Sequence, residues 1–84
     1  MIQLHLFSTS GCHLCELAKA LVDELAAAIP LHCQEIEITT DEALVERYGV
    51  RIPVLRDTAG GKELGWPFDA EQLKDFVQTL EKID

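Results

Sequence analysis

Ile2-Gln3-Leu4-His5-Leu6-Phe7, then Ser8-Thr9-Ser10-Gly11, then Cys12-His13-Leu14-Cys15 opening a periodic run to Ile29, is the segment from which the architecture can be read. In the first six residues Ile2, Leu4 and Leu6 alternate with Gln3 and His5, and a period of two predicts a strand. Phe7 interrupts the polar side, so cover on both faces is expected near the strand's end. From Cys12 the period changes. Leu14, Leu17, Ala18, Leu21, Val22, Leu25, Ala28 and Ile29 fall three or four apart, which is one apolar helix face. Ser10 or Gly11 is expected near the N-cap, and Pro30 ends the helix.

The remainder continues the alternation of elements. Residues 31–38 (LHCQEIEI) read as a strand whose phase slips at Gln34-Glu35, which predicts a bulge or an early start. Thr39 and Glu42 have capping-box spacing, with Asp41 as the alternative cap of a short helix through Tyr48 that turns Leu44 and Val45 inward. Gly49 stands where a left-handed C′ residue is wanted. A third strand begins at Ile52-Pro53-Val54-Leu55, Thr58-Ala59-Gly60-Gly61 signals a hairpin, and Lys62 to Trp66 returns. Asp69, with Gln72 three residues on, caps a last helix with Leu73, Phe76, Val77, Leu80 and Ile83 on its apolar face. The order β-α-β-α-β-β-α implies an α/β domain over residues 1–84. Its first βαβ unit gives a parallel pair with a right-handed crossover, its closing hairpin is antiparallel, and helices cover both faces of a four-stranded mixed sheet.

The chemistry lies in Cys12 and Cys15. A C-x-x-C pair opening a helix straight after a strand puts one sulfur at the exposed N-terminus and the other one turn deeper, on one face. The two can close a disulfide with little backbone movement. The unpaired N–H groups of the first turn and the helix dipole favour a thiolate at Cys12, and sites of this kind lower a thiol's pKa from ~8.5 toward ~3.5–7.5. Cys12 is therefore read as the nucleophile and Cys15 as the resolving thiol. His13, as imidazolium, would favour the thiolate further. The competing reading is a zinc site completed by His32 and Cys33. These are neighbours on a strand, where successive side chains point to opposite faces, and the intervening helix is far longer than a finger's spacer, so no metal is expected. Cys33 itself reads as a buried strand cysteine, and His5 and His32 as ordinary strand residues.

Bulk properties narrow the function classes. At 84 residues one domain is expected, burying ~60–65% of the surface its unfolded chain exposes. A net charge of −8 with only seven Lys plus Arg disfavours nucleic acid and anionic membranes. Three cysteines do not make a disulfide-stapled scaffold. No basic region followed by an apolar stretch opens the chain and no run reaches the length of a membrane span, so a soluble, cytoplasmic protein is the expectation, and it is taken as a monomer.

The C-x-x-C at a strand–helix junction, the Ile52-Pro53 before the third strand and the capping Asp69 together resemble the glutaredoxins and minimal thioredoxins, most nearly the small glutaredoxin-like proteins. The resemblance spans nearly the whole chain. It implies a thioredoxin-like, glutaredoxin-type fold and thiol–disulfide oxidoreductase activity on protein or small-molecule disulfides. It implies no tightly bound cofactor, with glutathione as a candidate co-substrate. It further implies a cis Pro53 against the nucleophilic sulfur, an Ile52 backbone that pairs with a substrate strand, Asp69 at the glutathione amino group and Arg51 at a carboxylate. Three differences weigh against a glutathione-specific site. His13 and Leu14 replace the family's usual Pro and aromatic residue, Arg51-Ile52-Pro53 replaces Thr-Val-Pro, and Gly65-Trp66-Pro67 replaces a glycine pair. A non-catalytic thioredoxin-fold binding module is the contrasting reading.

Overall fold

The structure, a computed structural model, describes residues 1–81. The elements run β1 (Ile2–Ser8), α1 (His13–Ala26), β2 (Leu31–Glu37), a 3-10 turn (Ile38–Thr40), α2 (Glu42–Tyr48), β3 (Val54–Asp57), β4 (Glu63–Gly65) and α3 (Ala70–Glu81). The sheet order is β2-β1-β3-β4, with β1 parallel to β2 and antiparallel to β3, and β3 antiparallel to β4. This is the mixed α/β architecture read from the sequence.

Alternation along the strands divides the interior into two cores. Leu4, Leu6, Leu31 and Leu55 pack with Ala18 and Val22 of α1 and with Leu73 and Val77 of α3. On the other face Phe7 and Val54 meet Ile38 and Tyr48, flanked by half-buried Ile36, Leu44 and Ile52. β1 and β3 therefore lie buried on both sides, which is why Phe7 breaks the alternation. The apparent phase slip in β2 has the same origin. Its register runs unbroken from Ile2↔Leu31 to Ser8↔Glu37, so there is no bulge; Leu31 and Cys33 serve the first core and Ile36 the second.

The helices depart from their expected faces in a consistent way. On α1 the buried stripe is Cys15, Ala18 and Val22. Leu14 and Leu17 are exposed, because each lies one residue, about 100° of helix rotation, off that stripe. The helix also closes early, at Ala26, in a tightened turn in which the Ala28 N–H donates to the Leu25 carbonyl. The residue before Pro30 is disfavoured in helical conformation, so the helix stops short of it. On α2 Tyr48 rather than Val45 points inward: Leu44 and Tyr48 are four apart and share the face, leaving Val45 exposed. Gly49 is right-handed, not left-handed, at φ −49°. Its N–H donates to the Val45 carbonyl, and a Cβ there would lie 2.5 Å from that oxygen, so close approach is what calls for glycine.

Capping is largely as expected. Asp41 caps α2 through the Ala43 N–H, and the Thr39/Glu42 box does not form. Asp69 and Gln72 form a reciprocal capping box at 2.8 and 3.0 Å. Leu73, Val77 and Leu80 of α3 are buried and Phe76 half-buried; Ile83 lies outside the described residues. In the hairpin the buried Asp57 carboxylate accepts the Ala59 and Gly60 N–H groups, and Gly61 takes φ +78°. Among the described residues no helix is long and apolar enough to cross a membrane.

Candidate active site

The loop from β1 into α1 is a tight turn in which the Cys12 N–H donates to the Thr9 carbonyl at 3.3 Å, with Gly11 at φ +79°. A positive φ at the third position of such a turn is what selects glycine there. The turn delivers Cys12, not Ser10 or Gly11, as the N-cap of α1 (φ −87°, ψ 104°). Its Sγ accepts the backbone N–H of Cys15 at 3.1 Å, the position that a serine or aspartate oxygen takes in an ordinary cap.

Cys12 and Cys15 are joined as a disulfide with a Cα–Cα distance of 5.2 Å, inside the usual range for such bridges. Cys12 is half-buried, whereas Cys15 is 2% exposed. An incoming group therefore reaches Cys12 first. His13 is exposed, with its Nδ1 3.7 Å from Glu16. Among the described residues no group of three or more His, Cys, Asp or Glu side chains is placed to hold a metal ion.

The Ile52–Pro53 peptide bond is cis, as is Trp66–Pro67, for which no residue pattern had raised the expectation. Phe7 pairs with Val54, so Pro53 emerges at the end of the sheet where β1 runs into the Cys12 turn. Pro53 is fully buried. Its carbonyl accepts the Trp66 N–H, while the Ile52 N–H donates to the Tyr48 carbonyl at 3.0 Å. Trp66 is half-buried and stands edge-on to Phe68 at 5.1 Å, against the first core.

Arg51 and Asp69 are held by other partners. Arg51 donates to Glu63 at 3.3 Å, and its guanidinium lies 5.6 Å from the centre of the Tyr48 ring. Asp69 is engaged in its capping box. Among the described residues neither makes a hydrogen bond or ion pair to either cysteine.

Three features escaped the sequence reading. The buried Ser8 hydroxyl donates to Glu35 at 2.9 Å, and the Glu37 carboxylate accepts the Ser10 N–H at 2.9 Å. The end of β2 thus grips the cysteine loop. The parallel pairing Ser8↔Glu37 is the signal that could have found this, had register been legible. Second, Tyr48 stacks on Phe7 at 4.2 Å between centres and donates to Glu63, which also meets Arg47 and Arg51. The Tyr48 hydroxyl, then the Arg51 guanidinium, hold the Glu63 carboxyl below its ordinary value, while burial and the Glu63 carboxylate push the Tyr48 phenol up. Third, burial and then the charges of Asp23 and Glu35 push the Cys33 thiol up to about 11, so it stays protonated at neutral pH.

No curated protein matches the chain. Among solved structures it is 39% identical to the X-ray structure of a structural genomics target protein, XcR50, from X. campestris. That match covers 90% of this chain and 96% of the other with a TM-score of 0.77. It is 28% identical to protein Ne2328 from Nitrosomonas europaea (89% of each chain, TM-score 0.70). It is 26% identical to a mutant thioredoxin from Halobacterium salinarum NRC-1 (99% of this chain and 77% of that one, TM-score 0.77). The family model described as "Glutaredoxin-like domain (DUF836)" matches residues 3–78. A thioredoxin fold whose first helix is capped by one cysteine of a C-x-x-C pair, matched over nearly its whole length by that model, is a member of the glutaredoxin-like domain family.

Proposed function

We propose that the protein is a thiol–disulfide oxidoreductase in which Cys12 attacks and Cys15 resolves. One observation carries this reading: the half-buried sulfur at the helix N-terminus receives a backbone N–H from the residue that bears its buried partner sulfur. In the reduced protein the same donor and the helix dipole favour a Cys12 thiolate. That thiolate attacks one sulfur of a substrate disulfide, the substrate S–S bond breaks, and one substrate thiolate leaves, taking up a proton. Cys15 loses its proton and attacks the Cys12 sulfur of the mixed disulfide, releasing the second substrate thiol. The substrate gains two electrons and the protein ends as the Cys12–Cys15 disulfide. An external thiol reductant returns it to the dithiol.

Pro53 and Ile52 position the substrate strand at the same end of the sheet. Since the Ile52 N–H already donates to Tyr48, its carbonyl is the group that remains to meet a substrate N–H. Protein or peptide disulfides are the preferred substrate class. The charge of −8 and the half-buried Trp66 support this over a dedicated glutathione site. Glutathione serves as a candidate co-substrate, with Arg51 and Asp69 as its contacts, and His13 adjusts the thiolate. The working compartment is the cytoplasm, where thiols are kept reduced.

The test is Cys15→Ser with a disulfide-bonded protein and with a glutathione mixed disulfide. A covalent adduct on Cys12, seen by intact mass, is expected with the protein substrate. No adduct with either would overturn the proposal.

A further inference from the structure

We infer that Glu37 is a positioning residue that sets the ionisation of Cys12 by fixing the turn on which that sulfur sits. The inference deepens the dithiol reading and rests on Cys12 as the attacking sulfur. Glu37 closes β2 beside Ser8 of β1. Its Oε1 accepts the N–H of Ser10, the second residue of the Thr9–Cys12 turn, at 2.9 Å. Its Oε2 accepts the Thr39 N–H at 3.2 Å and the Thr39 hydroxyl at 3.0 Å, and its carbonyl accepts the Thr40 hydroxyl at 2.9 Å. One side chain thus joins the cysteine turn to the 3-10 turn that leads into α2 and on to Ile52–Pro53.

The carboxylate is ionised at neutral pH, held below the ordinary carboxylate range by the Thr9 hydroxyl and then by the Thr39 backbone. Hydrogen bonds to an ionised acceptor are the stronger kind. Removing the grip frees Ser10 and with it the direction in which Cys12 presents Sγ to the Cys15 N–H, an alignment on which a helix-cap contact depends.

Two consequences of losing Glu37 run in opposite directions, which makes the role testable. As a mere negative neighbour, Glu37 would disfavour the thiolate, and its removal would lower the Cys12 ionisation midpoint. As a positioning residue, its removal raises that midpoint. The experiment follows iodoacetamide labelling of Cys12 against pH in the reduced full-length protein, read by peptide mass, for wild type, Glu37→Ala, Glu37→Gln and Thr39→Val. Glu37→Ala is expected to raise the midpoint by about one pH unit, a ~10-fold loss of thiolate on the acidic side of the midpoint. Glu37→Gln keeps one acceptor oxygen and should rise less, and it serves in place of the alanine variant if that does not fold. Thr39→Val keeps the Ser10 contact and should not move. A fall in both Glu37 variants, or no change in either, overturns the inference. The readout is separate from turnover. Shifted midpoints in a protein that reduces no disulfide would sink the proposed activity alone, and unmoved midpoints in an active reductase would sink only the role of Glu37.

Discussion

The N–H of Cys15 donates to the sulfur of Cys12 across 3.1 Å, so the more exposed member of the pair is capped by the backbone of the buried one. The contact uses a main-chain group, and replacing the Cys15 side chain leaves it in place. Cys15→Ser is therefore expected to retain a reactive Cys12, with a labelling midpoint within about half a pH unit of wild type, while losing the ability to release a bound substrate. Intact mass after exposure to a disulfide substrate distinguishes the two species.

Tyr48 and Glu63 tie α2 to the β3–β4 hairpin. Tyr48→Phe removes the hydroxyl that Glu63 accepts, and hydrogen bonds to charged groups are worth about 1.5–3 kcal/mol. In a domain of this size that loss is a melting-point drop of roughly 6–24 °C, checked by thermal unfolding at neutral pH.

The same pair gives a pH dependence with a definite sign. Glu63 sits below its ordinary value of 4.5, so it contributes stability that is present above that value and lost as pH falls through its folded value. Unfolding midpoints in denaturant should fall on acidification below about pH 4.5, and Glu63→Gln should flatten that fall while lowering stability at neutral pH.

Cys33 behaves oppositely. Burial raises its thiol from 9.0 to about 11, so the protonated form supports the fold below about 9, and this contribution is lost as pH rises toward 11. In a Cys12→Ser/Cys15→Ser variant, alkylation of Cys33 at about pH 8 is expected to be at least roughly tenfold slower in the native protein than in denaturant, measured by mass against time.

Asp69 is expected to act on stability chiefly through its cap. Asp69→Asn, an equally good N-cap, should melt within a few degrees of wild type, whereas Asp69→Ala should cost ~1 kcal/mol. Thermal unfolding of both checks this. An unchanged glutathione KM in the asparagine variant would remove Asp69 from the proposed glutathione contacts.

Much of this was legible in the sequence because it is local. Strand β1, the cysteine-bearing helix, the Gly60-Gly61 hairpin and the Asp69–Gln72 box each follow from residues within a few positions of one another. What was not legible depended on register or rotation. Cys15 occupies a core position, which turns Leu14 and Leu17 outward although both are leucines. Tyr48 lies inward, stacked on Phe7 of β1, with its hydroxyl reaching a glutamate on β4 that is 15 residues away, and neither partner is near it in sequence. Nothing in the local pattern marks Glu35 or Glu37 for a role at the cysteine loop; only the parallel register of β2 against β1 sets Glu37 beside Ser8. A sulfur serving as its own helix cap was likewise hidden, since serine, threonine, aspartate and asparagine are the side chains expected there.

The most direct test of a helix-capped, activated sulfur is the pH dependence of Cys12 alkylation in the reduced wild-type protein. A midpoint at least about one unit below the ~8.5 of a free thiol is predicted. A midpoint at or above the free-thiol value would contradict it.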